Sequence, residues 1–448
     1  MTFNPICIIV SLVGLYLLVR LRFFFIVHPI RTSKYLLRTL SRRDTARSLI
    51  LALSGTLGVG NIFGVSLGLI LGGAGSVFWM LVSAIFAAVL KYAEVTLSSD
   101  GIMRDDAGTH GGMHLAARAT LGKLGTPVAV IYTASVLLLS FSMGASLQTV
   151  TFVSSVSKIF NTPPTLTAAL FAILVFFAVV GGTKIIERVT EIIIPLTTII
   201  YILLTLSVIV ICRDRLSDAI RLIFVGAFTA RGALGGVFGF LTSRALSEGF
   251  ARGLLSNEAG AGTSSIAHAR GSTLNPAMSG LMGIVEVLFD TVILCTLTAL
   301  SVLVSVGDIS IFTDGMSLVF AAFVGTLGIP AGLLLTFCIL SFAFSTVICW
   351  YFYGSEAARV LFGLERPVLF LPGYLFAVVF GSRIDSGILV FITDALLLIM
   401  TSVTAILLVK NSDRILILSE NGGVLSKHRN KYKRFKVFDR KGKGKEVR

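Results

Sequence analysis

The chain has 448 residues, 55% of them hydrophobic and only 14% charged, with a mean hydropathy of +0.92 and a formal net charge of +15. A soluble domain carries about a quarter of its residues as charges, so this composition excludes one. The apolar runs are continuous rather than alternating, which excludes a membrane β-barrel as well. The positive charge lies in short loops and a tail, where it reads as membrane topology rather than as a nucleic-acid surface.

A bilayer core about 30 Å thick takes roughly 20 apolar residues per helix. Eleven stretches answer to that length: 5–26, 48–71, 75–98, 128–157, 165–182, 190–212, 234–268, 278–305, 330–353, 367–381 and 386–409. Stretches 218–228 and 315–327 are too short and are expected as amphipathic helices outside the membrane core. No basic residue precedes the first segment, and Arg20, Arg22, Arg31, Lys34 and Arg38 follow it. It is therefore expected to be retained as a span rather than cleaved, with the N-terminus outside. Eleven crossings then place the C-terminus inside, in keeping with the basic tail beyond Asn411. The loops at 161–164 and 307–315 hold no Lys or Arg, as outer loops should. Arg213, Arg215 and Arg221 are the exception, partly offset by Asp214 and Asp218. The chain divides into an extra first helix with a basic loop (1–47), two five-helix halves (48–212 and 213–410) and the tail (411–448). Its five cysteines are scattered without a CxxC pair and read as small core hydrophobes.

Glycine placement singles out two segments. The second reads Ala52 to Asn61 with Gly55, Gly58 and Gly60 close together. Gly60, Gly64, Gly68 and Gly72 form a small-residue packing ladder. Gly55, Gly58 and the polar Asn61 lie off it. Backbone freed by such a cluster is tolerated only where it lines a polar cavity. A dinucleotide loop would need a βαβ unit, which nothing here supplies. The seventh segment leads from an apolar approach, Gly235 to Phe240, into a polar centre with Asn257, Glu258, Gly260 and Gly262. It reads as a second broken helix or as a plain loop, and its apolar flanks favour the break. Two interrupted helices five apart point to inverted halves. A broken helix offers free N–H groups to a carboxylate and free C=O groups to a small cation or ammonium. A zwitterionic amino acid with Na⁺ presents those charges.

Intramembrane acids are functional candidates by default, and Glu258, Glu286 and Asp290 qualify. Glu286 and Asp290 are four apart on one helix face. They could relay protons or pair with Arg231, Arg244 or Arg252, and structural pairing is expected for two of the three acids. Lys91 and Glu94 share a face and are expected to pair.

The stretches GTLGVGNIFGV (55–65), GGAGSVFWM (72–80), KYAE (91–94), ARGLLSNEAGAGTSSIAHA (251–269), DTVILCTLTAL (290–300) and FAFSTVICWYFYG (342–354) resemble the alanine or glycine:cation symporter family. The SNEAG and FAFST blocks are the specific ones, and the resemblance runs over nearly the whole chain. It implies an all-α polytopic fold like that of the bacterial leucine transporter, five helices plus five inverted, here preceded by one extra helix. It further implies a Na⁺ site made by backbone oxygens of Ser54, Leu57 and Phe342 with the hydroxyls of Ser345 and Thr346. Such a hydroxyl pair could instead bond its own helix turn. The substrate carboxylate would lie at the N–H groups of Val59 and Gly60, with Thr56, Gly58, Asn61, Gln148 and Asn257 around it. Gln148 could equally be interhelical glue. Trp350 would wall the pocket and restrict the side chain to a small one, or serve in ordinary packing. The chain departs from the family pattern at Gly111-Gly-Met-His-Leu-Ala, at Thr263-Ser-Ser, at Cys349 for glycine and at Val59 for threonine; these changes bear on the substrate.

The expected function is symport of a small amino acid such as alanine or glycine with Na⁺, by alternating access across the cytoplasmic membrane of a prokaryote. No enzymatic activity, cofactor or nucleic-acid partner is expected. The alternatives are a proton-coupled carrier of another small amino acid or amine, a channel, and a membrane enzyme using His110 and His114, whose spacing could hold a metal on a helix.

Overall fold

The computed structural model describes residues 5–40, 43–101, 103–105, 108–228, 244–271, 275–363, 367–425, 436–438 and 444–446. Almost everything described is helical. Two small antiparallel hairpins, Met103–Asp105 with Gly108–His110 and Lys436–Phe438 with Gly444–Glu446, are the only departures from the all-α expectation among the described residues, and both lie outside the apolar runs.

Helix α1 (Pro5–Arg20) stops at the membrane edge, where Arg22 and Phe23 take left-handed φ values of 57° and 50°. The expected first span, 5–26, is thereby shortened, and a surface helix α2 (Pro29–Leu40) follows. Helices α3 (Arg43–Thr56) and α4 (Phe63–Gly72) form one span bent by 60° at its centre. Next come α5 (Gly75–Asp100), a short α6 (Met113–Thr120) and the long α7 (Gly122–Ser157). Helices α8 (Pro164–Val180) and α9 (Thr183–Ile211) come next, and a short helix α10 (Leu216–Ala227) follows.

The approach from Gly235 to Phe240 and the pairing candidate Arg231 lie outside the described residues. The chain re-enters as α11 (Arg244–Asn257), breaks, and continues as α12 (Ser264–Gly271). Then come α13 (Pro276–Ser305), the short α14 (Gly315–Leu327), α15 (Ile329–Phe362), α16 (Leu371–Gly381), α17 (Ser386–Lys410) and α18 (Ser412–Asn421). Six described helices are long and apolar enough to cross a membrane alone, and the bent α3–α4 pair makes a seventh span. The expected spans at 165–182 and 367–381 are present as shorter apolar helices.

Burial follows the helical period. Along α9 the buried residues Ile186, Thr190, Ile194, Thr197, Tyr201, Leu204 and Val208 recur every three or four positions, while Ile192, Leu196, Ile199, Leu203 and Val210 stay exposed as a lipid-facing stripe. Helices α5 and α15 are buried on nearly every side and form the centre. Gly280 lets α13 lie against α5, since a Cβ there would meet Thr96 Oγ1 at 2.1 Å. Two π-helical stretches, Ser140–Leu147 in α7 and Leu288–Cys295 in α13, rotate the residues beyond them.

Polar contacts mark the two faces of the bundle. On one, the end of α1 is tied to α18: Tyr16 bonds Ser412 at 2.8 Å, Arg22 pairs with Glu420 at 3.0 Å and Arg20 pairs with Asp413. Arg414 joins Asp100 on the same side. On the other, Lys158 meets Asp314 at 3.5 Å, and Arg383 donates to Thr165 at 3.2 Å.

Candidate functional site

The first break is visible in its hydrogen bonds. The Leu57 amide makes the last regular helical bond, to Leu53 O at 2.6 Å. The Gly58 amide, which a continuous helix would give to Ser54, turns to Thr56 O at 2.8 Å. The Val59 amide, due to Gly55, is taken by Gln148 Oε1 at 3.2 Å. Val59–Asn61 then form a 3₁₀ turn and the chain restarts at Phe63. The carbonyls of Ser54 and Gly55 are thus relieved of their helical donors.

Gly58 lies where three elements meet. A Cβ there would stand 2.7 Å from Thr346 Oγ1 and 3.0 Å from Gln148 Oε1. Trp350 sits one turn beyond Thr346, pressed on Gly144, whose added Cβ would come within 2.4 Å of the tryptophan Cβ. Its ring meets Tyr353 edge-on, with centroids 5.4 Å apart. Thr346 Oγ1 and Trp350 Nε1 are buried without a hydrogen-bond partner among the described residues. The hydroxyls of Ser345 and Ser54 bond their own helices, at Phe342 O (2.9 Å) and Leu51 O (2.7 Å). Of the expected hydroxyl pair, therefore, only Thr346 is free. Cys349, next to Trp350 in the chain, packs against Gly55, its thiol 3.4 Å from Leu51 O.

The second break has a different construction. Glu258 adopts φ +54°, and Gly260 and Gly262 adopt +87° and +77°. A non-glycine residue in that region carries strain that the surroundings must hold. Glu94 on α5 accepts from the Gly260 amide at 2.6 Å, and the Tyr132 hydroxyl donates to Ala261 O at 2.9 Å. Thr263 donates to Glu258 Oε2 at 2.6 Å, while Glu258 Oε1 is buried without a partner among the described residues. Asn257 faces α13, giving its amide to Thr291 Oγ1 at 3.0 Å.

Asn61 joins the breaks. Its Nδ2 donates to Asp290 Oδ1 at 2.7 Å and to Ser256 Oγ at 3.0 Å, and Ser256 donates to Asp290 Oδ2 at 2.7 Å. Glu286 belongs to a separate network. It accepts from Lys91 Nζ at 2.7 Å and Ser264 Oγ at 2.8 Å, and it contacts His268. The π-helical stretch of α13 begins between Glu286 and Asp290 and turns them to different neighbours.

Several expected pairings are corrected by this arrangement. Lys91 pairs with Glu286 rather than Glu94, because Glu94 is occupied by the second break. Arg252 points toward Glu248 (3.2 Å) and Asp394 (3.9 Å) and reaches none of the three candidate acids; Arg244 is exposed. His110 sits on a strand and His114 on α6, so they do not share a helix face. Among the described residues no cluster of three His, Cys, Asp or Glu could hold a metal. Ser256, His268 and Thr291 are not singled out by the sequence, and Ser264 enters there only within the Thr263-Ser-Ser departure. Ser256 and Thr291 stand next to residues it did name, which is the signal that was there to use.

The site is closed: Val59, Asn61, Gln148, Asn257, Thr346 and Trp350 are all buried. Two small cavities lie near the second break. One is lined by His114, Tyr132, Ile266 and Arg359; the other, lined by Ala251, Leu255, Ala259, Asp394 and Thr401, touches the second break at Ala259.

Comparison with known proteins gives the chain's relatives and its fold. The chain is 31% identical over 397 residues to an uncharacterized transporter of Haemophilus influenzae, covering 87% of each chain. It is 31% identical over 361 residues to the sodium/alanine symporter AgcS of Methanococcus maripaludis, covering 78% of each. It is also 31% identical to the probable sodium/glutamine symporter GlnT of Bacillus subtilis, over 82% of this chain and 77% of that one. The fold is similar to the crystal structure of MhsT in complex with L-phenylalanine, with a TM-score of 0.52 at 14% identity over 84% of this chain and 98% of that one. The profile of the sodium:alanine symporter family matches residues 1–421, and the chain belongs to that family.

Proposed function

We propose that the protein carries a small amino acid such as alanine or glycine together with Na⁺, by alternating access across the inner membrane of a prokaryote. The observation that carries this is the first break. It takes the Gly58 and Val59 amides away from the Ser54 and Gly55 carbonyls, and hands the Val59 amide to an exchangeable partner, Gln148, beside Thr346. Amide N–H groups suit a carboxylate, and hard neutral oxygens suit a monovalent ion. In this reading Na⁺ takes the carbonyls of Ser54, Leu57 and Phe342, the free Thr346 hydroxyl, and Ser345 after it turns from its own helix. The substrate carboxylate displaces Gln148 from Val59 and reaches Gly60, with Thr56, Asn61 and Asn257 around it. The close fit of Trp350 on Gly144 supports a small side chain. Relatives named for alanine and glutamine support an amino acid. The halves 48–212 and 213–410 act as the inverted repeats, with the N-terminus outside and the C-terminus in the cytoplasm. Glu258 and Asp290 are the coupling acids, while Glu286, saturated by Lys91, is structural.

The test is uptake of radiolabelled alanine and glycine into proteoliposomes, with Na⁺ and pH gradients imposed separately. Thr346→Ala is expected to raise the Na⁺ concentration needed for half-maximal uptake. An unchanged Na⁺ dependence in that variant would show the cation site to be elsewhere.

A further inference from the structure

The three arginines that break the charge rule of the outer loops have a structural setting of their own. The bilayer-facing stripe of α9 runs to Val210 and Ile211, both exposed, and the chain then turns through Arg213-Asp214-Arg215 into α10. One side of α10, made of Ala219, Ile223 and Ala227, is pinned to the start of α5. Trp79 Nε1 donates to Ala227 O at 3.1 Å, and Gly75 and Gly226 lie backbone to backbone. The rest of α10 faces outward, and Ile220, Leu222 and Val225 are exposed on it. Arg213, Arg215 and Arg221 are exposed, and none is in an ion pair among the described residues, although Asp214 and Asp218 are close in sequence.

A helix held at the end of a lipid-facing span, with apolar flanks and unpaired arginines, lies at headgroup depth. Its apolar residues enter the acyl region while guanidinium forks remain at the level of the phosphates. Three arginines against two aspartates leave one net positive charge, the complement of one phosphodiester. The planar fork matches phosphate oxygens in pairs.

We propose that α10 is an interfacial helix that binds the phosphate of an anionic phospholipid through Arg213, Arg215 and Arg221. This reading does not depend on which solute is carried.

The full-length protein, reconstituted into nanodiscs of phosphatidylcholine or of an equimolar mixture with phosphatidylglycerol, is compared with R213Q/R215Q/R221Q. The readout is the phosphatidylglycerol retained per protein by native mass spectrometry, with thermal melting to check the fold. A basic residue near an anionic surface contributes about 1 kcal/mol, so each arginine lost should reduce retention about fivefold. Asp218→Asn, which adds a net positive charge without disturbing the arginines, should raise retention. Equal retention in the wild type and the folded triple variant, or no gain in Asp218→Asn, overturns the proposal. Loss of retention in the triple variant with gain in Asp218→Asn supports it. Should the triple variant not fold, Asp218→Asn alone decides the matter.

Discussion

Replacing Gly58 by alanine tests the first break with a single methyl group. The backbone at Gly58 is extended, with φ −116° and ψ −158°, so alanine meets no conformational penalty and the effect is one of contact alone. The new Cβ would stand 2.7 Å from Thr346 Oγ1, well inside an ordinary contact, and Thr346 is β-branched and stiff. Gln148, whose Oε1 lies 3.0 Å from the new atom, is the group that can give. Its withdrawal leaves the Val59 N–H buried and unpaired, at about 1–3 kcal/mol. That cost falls on the empty carrier; the affinity loss comes from the contact with stiff Thr346, which shifts the break off the proposed Na⁺ site, and one lost ligand contact of about 1–3 kcal/mol weakens apparent Na⁺ affinity about 5- to 150-fold. Gly64→Ala is the control, because its nearest neighbour, Leu255 Cδ2, lies 3.9 Å away. Initial uptake rates in proteoliposomes, measured against alanine and Na⁺ concentration, should be impaired in Gly58→Ala and ordinary in Gly64→Ala. Wild-type affinities in Gly58→Ala, or equal damage in both, would refute the geometry.

Three further outcomes follow from the networks around the breaks. Lys91→Met leaves Glu286 buried without its 2.7 Å partner and should lower stability by about 3–5 kcal/mol, whereas K91M/E286Q should recover part of that in thermal melting. Tyr132→Phe removes the 2.9 Å bond to Ala261 O, worth about 1 kcal/mol, and should speed amide hydrogen exchange at residues 258–263. Asp314 caps α14. Burial pushes its half-buried carboxyl up, but hydrogen bonds from Ser317 and Met316 and the nearby Lys158 ammonium outweigh this and hold it below the usual 3.8. Its folded value being the lower, the cap's contribution is present above pH 3.8 and is lost as pH falls through the folded value. Asp314→Asn should therefore flatten the acid limb of the stability profile measured by melting.

Much of this architecture is legible in the amino-acid string. Gly55 and Gly58, set off the packing ladder beside Asn61, announce a helix that does not continue. The run from Asn257 to Gly262 announces a second. The partners of the buried charges are not legible, because they depend on how each helix is rotated. Lys91 and Glu286 lie 195 residues apart. Two π-helical turns, which no residue type marks, decide what faces Gln148 and Asp290. Adjacent hydroxyls look alike in sequence, yet Ser345 bonds its own helix and Thr346 is free. The early end of α1 turns on left-handed backbone at Arg22 and Phe23, which neither residue type suggests.

The contacts joining α1 to α18 span separations of 393 to 398 residues. During synthesis α1 must wait until the chain beyond α17 has been made before Asp413 and Glu420 exist to receive Arg20 and Arg22. Contacts so distant along the chain are slow to form. Helix α1 is therefore secured late, and a chain stopped at Lys410 would lack the Asp413 and Glu420 carboxylates that Arg20 and Arg22 meet in the finished fold.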